Sequence, residues 1–524
     1  MRQKRQEALA TLPGYDQFPA RATTWRDYAQ RTVDNLLTYD DCWFREPSTG
    51  IQGFRPYVKG TDGWGGPTRT RRIIELMAAI DVLWPMYRYL QLHPDVDKQA
   101  LLDQFIEELP KYYNASVQQS TNRPGGTRHD SWYFMENSVL KYGHLYLISG
   151  NPVLREPFFG SLGSAIEMAH NFDYLFPQFV NLEKQRADGY NTNNYSTAGL
   201  LAYSLAHAYQ LTGDIQYLRE AEQALLGMRE GAEPIDIIYE PQELAAAAAA
   251  AAHLTQYNAE LGSTTDFPAL AQYFFYTQAW MIYYVGGQID LPGFTPQPSD
   301  WLPETWRDGL HSPYYNPAEA RGINAPAFKE NLEATLFWID YLRYLYGTPG
   351  FDPVEPLKVL NLNRIKNFHF FSPNIPDEWE RDFGPTSLQY IPYEDIDYYA
   401  VREYEDDSVR EKAGYNGKEI YGAGEVLWAY LAFEALGQTA DPNALILNLN
   451  LFDEHYPPAP GDRAYLVFNP YPEARVMGFT LLQLDTAYTL YADGQELGSF
   501  DPGDPFEIAL PALGSALVTL EAHP

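Results

Sequence analysis

The chain has 524 residues, 45% of them apolar and 15% aromatic, with 41 Tyr and 11 Trp. That is enough to bury a large core, and more than one compact unit usually holds, although barrel folds run long as single domains. A formal net charge of −32 argues against a nucleic-acid partner, which needs clustered Lys and Arg, and against a strongly polyanionic substrate. The single cysteine, Cys42, leaves no intrachain disulfide and no cysteine-based zinc site.

The N-terminal run MRQKRQEALATLPGYDQF has basic residues but no apolar core of a secretory signal. No apolar run reaches membrane-spanning length; the eight alanines 245–252 stand between Glu243 and His253 in a helical context. The expectation is a soluble, cytoplasmic protein with no membrane partner, or a secreted one if a leader has been removed.

Residues 24–38, TWRDYAQRTVDNLLT, form an amphipathic helix without an obvious partner. From there to about residue 440, apolar helices about 20 residues long keep returning, most of them followed by a short turn and a second, more amphipathic helix. The first helices begin near residues 66, 130, 194, 241, 325 and 417. Their stop signals include His93-Pro94-Asp95, Ser149-Gly150-Asn151-Pro152 and Thr212-Gly213-Asp214. Five have a clear second helix, and the N-terminal helix supplies the sixth, so a closed ring of six helical hairpins is expected.

Turns within hairpins are short, whereas the connections between hairpins are long, above all 286–324 and 372–416. In such a ring the long loops share one rim with the N-termini of all inner helices, where binding sites usually lie. From about 445 the pattern changes to short β-rich runs such as ALILNLNLF, RAYLVFNPYP and AYTLYADGQELGSF, with Asp-Gly and Pro-Gly turns. The division expected is a helical ring over 1–444 and a small antiparallel β-sandwich over 445–524.

Two stretches carry a resemblance. LAHAYQLTGDIQYLREAEQAL is similar to the hairpin signature of the six-hairpin (α/α)6-toroid carbohydrate enzymes, and FNPYPEARVMGFTL resembles the opening of β-sandwich domains in many glycosidases. The resemblance implies a mainly α, (α/α)6-toroid fold and two carboxylates across the funnel, at inner-helix N-termini or on rim loops. Hydrolysis of a glycosidic bond needs such a pair, one protonating the leaving oxygen and one activating water. The resemblance implies an inverting glycoside hydrolase acting on a neutral or weakly charged oligo- or polysaccharide.

Four carboxylates are the catalytic candidates. Glu419 and Glu425 lie in YNGKEIYGAGEVLWAY, where Glu425 falls on an inner helix amid Gly and aromatics, costly unless it works or is paired. Asp130 lies at the rim of the second hairpin with Glu136 two turns in; Asp130 is also a good N-cap. Glu243 follows Glu240 and Pro241 at the fourth inner helix, where both acids also suit the helix dipole.

Substrate contacts are expected from rim amides and aromatics, whose apolar faces and polar tips suit sugar rings. They are His129; Tyr190, Asn191, Asn194 and Tyr195; Tyr239; Asp300, Trp301, Trp306 and His311; and Tyr415 and Tyr421. One helix cap uses one Asn, and 191–194 offers three. No cofactor and no metal is expected: the chain has no His-Glu-x-x-His, no Asp/Asn calcium loop and no cysteine cluster. A calcium ion held by rim carboxylates stays open.

Three alternatives remain. A polysaccharide lyase on the same ring would use His129, Asn137, Tyr142, His144, Asn194 and Tyr195, with Arg69, Arg71, Arg72 and Arg128 for charge. An epimerase or isomerase would need a histidine pair in the funnel, and His129, His311 and His369 are spread apart. A non-catalytic glycan-binding protein would keep rim aromatics but no buried carboxylate pair.

Overall fold

Helices of two characters alternate along the chain and fix its architecture. The computed structural model describes residues 25–38, 42–56, 73–130, 133–188, 196–231, 241–284, 303–306, 326–371, 423–441 and 443–523. Its long helices, in chain order, are α1 (Trp25–Thr38), α2 (Leu76–Leu92), α3 (Val96–Glu108), α4 (Tyr142–Ser149) and α5 (Arg155–Asn171). There follow α6 (Thr197–Thr212), α7 (Ile215–Gly231), α8 (Pro241–Leu254), α9 (Phe267–Met281), α10 (Phe328–Leu345), α11 (Val354–Phe371) and α12 (Ala423–Phe433). A π-helical stretch, Phe134–Lys141, runs without a break into α4.

The even-numbered helices form a closed ring. α2 packs on the π stretch and α4, these on α6, α6 on α8, α8 on α10, α10 on α12, and α12 returns to α2. Each odd-numbered helix lies outside: α3 on α2, α5 on α4 and its π stretch, α7 on α6, α9 on α8, α11 on α10. The sixth outer position is filled by α1, which packs on α12, so the N-terminal helix closes the ring as the sequence pattern expects. The fold is an (α/α)6 toroid followed by antiparallel sheet.

Burial explains the alternation. In α6 every residue from Thr197 to Ala208 is buried, because an inner helix touches neighbours on all sides. In α3 only Leu102, Phe105 and Ile106 are buried, the one stripe of an outer helix. The alanines 245–252 belong to inner helix α8 and are all buried; their small side chains let the flanking helices approach. Gly199 of α6 marks the same closeness, since a Cβ there would stand 2.4 Å from the Glu243 carbonyl oxygen.

The hairpin turns follow their local chemistry. Asp95 caps α3 by accepting from the N–H groups of Asp97 and Lys98, both at 3.1 Å. Gly150 and Gly213 end α4 and α6 in left-handed conformation, with φ of 59° and 69°. The first inner helix begins at Leu76, ten residues after the expected start, with Glu75 before it in extended conformation.

The C-terminal strands are β1 (Gly437–Thr439), β2 (Leu445–Asn448), β3 (Ala464–Phe468), β4 (Arg475–Leu481), β5 (Tyr488–Ala492), β6 (Gln495–Phe500), β7 (Pro505–Leu510) and β8 (Ser515–Ala522). They make two antiparallel sheets, β1-β4-β7 and β2-β3-β8-β5-β6, and Phe500 of one meets Phe506 of the other edge-on at 6.0 Å. The first strand starts at Gly437, ahead of the apolar run at 445, and pairs with β4. The sheets seat on the C-terminal ends of the inner helices: Asn448 donates to the Leu431 carbonyl at 3.0 Å, and the Tyr346 hydroxyl meets Ser515 Oγ at 3.4 Å.

Candidate active site

The ring encloses a stack of side chains whose character changes from one end to the other. Successive turns of α2 carry Asp81, Trp84 and Arg88, and the second inner helix carries Lys141 and His144; all are buried. Glu136 and Lys141 lie five residues apart in the π stretch, whose i to i+5 repeat sets them one above the other. Lys141 Nζ bonds Asp81 Oδ1 across the helix boundary and lies 2.5 Å from Glu136 Oε1. The Lys141 and Glu136 side chains are only 3% exposed. The ammonium also stands 5.9 Å from the centre of the Trp84 ring, a cation–π contact.

A second carboxylate lies at the same end. Glu243, in the first turn of α8, is fully buried and accepts from the hydroxyls of Ser196 and Thr197, the latter at 3.2 Å. The N-terminal turns of two adjacent inner helices are thereby clasped. Counting round the ring, α8 stands opposite α2, so the Glu243 cluster and the Asp81–Lys141–Glu136 cluster belong to opposing helices of one end.

Below the charges lies an aromatic layer. Trp84 meets Trp428 edge-on at 4.7 Å, and His144 stacks on His207 at 4.9 Å. Phe452, from the segment after β2, enters this layer and touches Trp84, His144, Tyr203 and Trp428. The Trp84 indole N–H donates to His144 Nδ1. An indole can only donate, so this ring nitrogen carries no proton and the imidazole is neutral. Burial holds the His144 pKa well below the ordinary histidine value, with the neighbouring His207 and Arg88 acting the same way. Burial likewise takes His207 and His253 down to about 3.

The far end is closed by ion pairing. Arg343 bonds the Asp453 carboxylate, and Arg88 Nη2 donates to the Asp453 carbonyl. Asp340, fully enclosed, accepts from the Tyr203 hydroxyl at 2.6 Å, and burial raises its pKa to about 6. Phe452 and Asp453 therefore plug the base of the ring, and the opposite end is the mouth.

Of the catalytic candidates, Glu243 is the one whose side-chain surroundings are described, and it is a helix clasp as well as a mouth carboxylate. Glu425 falls in the first turn of α12, one turn ahead of the buried Trp428. Asp130 ends a short strand, Arg128–Asp130, where it lies opposite Phe179 in Phe179–Asn181. His129 is its neighbour, opposite Val180, and Trp306 lies in the strand Pro303–Trp306. Glu419, Tyr190, Asn191, Asn194, Tyr195, Tyr239, Asp300, Trp301, His311, Tyr415 and Tyr421 lie outside the described residues.

Sequence reasoning missed Asp81 and Lys141 because they belong to different helices and lie 60 positions apart. One signal was present: a charged residue in an otherwise apolar buried helix is costly unless paired. The lyase alternative fares differently among its described members. Tyr142 is fully buried and its phenol is pushed well above the ordinary value by that burial, while the His144 ring is in contact with Phe452 at 4.9 Å. A histidine pair not singled out from the sequence, His144 stacked on His207, comes from two adjacent inner helices and sits towards the plugged base.

Among the described residues there is no group of three or more His, Cys, Asp or Glu side chains placed to hold a metal ion. No described helix is long and apolar enough to cross a membrane.

No family model matches the chain, and no curated protein matches it. Solved structures similar in fold include a D-mannose isomerase, at 11% identity over 80% of this chain and 100% of that one, with a TM-score of 0.47. A family 76 glycoside hydrolase from a bovine Bacteroides thetaiotaomicron strain aligns at 10% identity over 78% of each chain, TM-score 0.48. A cellobiose 2-epimerase from Spirochaeta thermophila aligns at 12% identity over 82% of this chain and 96% of that one, TM-score 0.43.

Proposed function

We propose that this chain is a carbohydrate-active enzyme that hydrolyses glycosidic bonds in a neutral or weakly charged oligo- or polysaccharide. The observation that carries the reading is the polarity of the ring. Its mouth gathers carboxylates on the inner helices (Asp81, Glu136 and Glu243, with Glu425 opening the sixth), whereas its base is aromatic, neutral at the histidines and plugged.

Glycoside hydrolysis uses one carboxylic acid to protonate the departing oxygen and one carboxylate to activate water from the opposite face. In the proposed reaction Glu425 or Glu419 fills one role and Asp130 the other, with inversion at the anomeric carbon. Inversion requires the two carboxyls to stand roughly 6.5–9.5 Å apart. The Asp81–Lys141–Glu136 cluster adds a net negative charge to this end of the ring, which favours the positive charge that develops on the sugar ring in the transition state. His129 and the rim residues around Tyr195, Trp301 and Tyr415 contribute the sugar contacts.

The test is incubation with neutral and uronic-acid glycans, reading reducing ends together with absorbance near 235 nm. Reducing ends without that absorbance are expected, and Glu425→Gln or Asp130→Asn should lower the rate by about 10²–10⁴. Absorbance rising with the reducing ends would make the enzyme a lyase. A shift of substrate epimers without new reducing ends would make it an epimerase, and inertness on every glycan would favour a binding protein.

A further inference from the structure

The outer wall of the toroid carries a groove that none of the mouth chemistry uses. It has a volume of about 370 Å³ and is lined by Asp266, Pro268, Gln272, Tyr273, Tyr276 and Pro349. Its walls come from the first turns of outer helix α9 and from the turn between α10 and α11, so it opens near the base, away from the mouth.

We propose that this groove is a second saccharide-binding site, taking a neutral sugar unit of a polymer whose main chain is cut at the mouth. The inference rests on the carbohydrate reading above for its ligand class. Four features support it. Tyr273 and Tyr276, three residues apart on α9, lie on one helix face and both line the groove, and Tyr273 is 41% exposed, unusual for so large an aromatic. A phenol ring offers a flat apolar face to sugar C–H groups and a hydroxyl at its edge.

Second, the polar lining suits hydroxyl groups. Asp266 accepts from the Ala269 N–H at 3.1 Å through Oδ1, and a carboxylate has further acceptor capacity. Gln272 adds an amide that can both donate and accept. Third, the flanking charges are balanced: Asp266 lies in the groove and the Arg229 guanidinium stands 5.8 Å from the Tyr273 ring centre. That balance, with a chain charge of −32, favours an uncharged ligand over an anionic one. Fourth, the volume falls in the range of small-molecule sites, about 300–1,000 Å³, and so admits a sugar ring.

The experiment is affinity electrophoresis of the full chain in gels containing soluble α-mannan, galactomannan, mixed-linkage β-glucan or xylan, beside hydrolysis assays on polymers and on short oligosaccharides. At least one glycan is expected to retard the wild type, with Tyr273→Ala losing about tenfold in polymer affinity and Tyr273→Phe keeping most of it. Hydrolysis of short oligosaccharides should be unchanged in both variants. Tyr273→Ala melting at the wild-type temperature keeps the result free of folding effects; Gln272→Ala supplies a second variant, expected to weaken retardation less.

Hydrolysis with retardation unaffected by either substitution overturns the second site and leaves the hydrolase reading intact. Tyr273-dependent retardation without hydrolysis keeps the site and overturns the hydrolase. Binding of a proline-rich peptide in the groove, with no glycan retardation, overturns the saccharide assignment.

Discussion

The two ends of the ring are built from the same six helices and treat charge in opposite ways. At the mouth, Lys141 is held between Asp81 and Glu136, and ionised groups are buried together because each supplies the other's partner. At the level of the plug, His144, His207 and His253 are buried as neutral rings, and Asp340 is raised toward its neutral form. Pairing keeps charge deep inside the mouth, whereas at the other end the imidazoles buried without an ionic partner are neutral and the Arg343–Asp453 pair is partly exposed. In the proposed hydrolysis the first arrangement serves a substrate with developing positive charge, and the second a rigid foundation.

The largest expected effect breaks the mouth. Lys141→Met leaves two buried carboxylates without their shared ammonium and should cost about 3–5 kcal/mol, read as a fall in the urea midpoint. Removing one carboxylate with Asp81→Asn in the same chain should recover part of that loss, because one of the two stranded charges goes with it.

Phe452→Ala attacks the base instead, opening a cavity among Trp84, His144, Tyr203 and Trp428, and should cost about 3 kcal/mol. If the plug is only a foundation, activity per folded molecule should be unchanged; a large fall in kcat would tie the base to the chemistry.

Acidity separates the ends without mutation. The histidine pKa values are lowered in the fold, so between about pH 6.5 and 3 the unfolded chain binds more protons and stability falls as the pH drops. Each such histidine contributes a slope of about 1 kcal/mol per pH unit. Asp340 acts oppositely between its ordinary value and about 6, where the folded chain holds the extra proton, so stability from that group falls as the pH rises. Three histidines against one aspartate leave a net loss on acidification. Melting temperatures measured from pH 7 to 4 should fall, and less steeply in His207→Gln.

The smallest of these effects is at the clasp. Ser196→Ala removes one of the two hydroxyls on Glu243 and should cost about 1–2 kcal/mol by thermal melting. A loss of activity far larger than the loss of stability would mark Glu243 as a participant in the reaction.

Much of this was legible in one dimension. The difference between α6, apolar on every side, and α3, apolar on one stripe, is a difference of period and composition, so inner and outer helices could be told apart without coordinates. The hairpin turns at Gly150, Gly213 and Asp95 follow from backbone stereochemistry and capping, which are local. The vacancy in the sixth pair also identified α1 as its occupant, since a ring with five complete hairpins has one outer position open.

Tertiary structure decided what lay inside. Asp81 meets Lys141, and His144 meets His207, only because the ring sets neighbouring helices side by side; the two members of each pair lie about 60 residues apart. The plug is more remote still, since Arg88 and Asp453 are 365 residues apart. Nothing in NLNLFDEHYPP signals that its Phe452 closes a barrel. Helix period and turn chemistry are written within a few residues, whereas the partner of a buried charge is settled by which helices the closed ring makes adjacent.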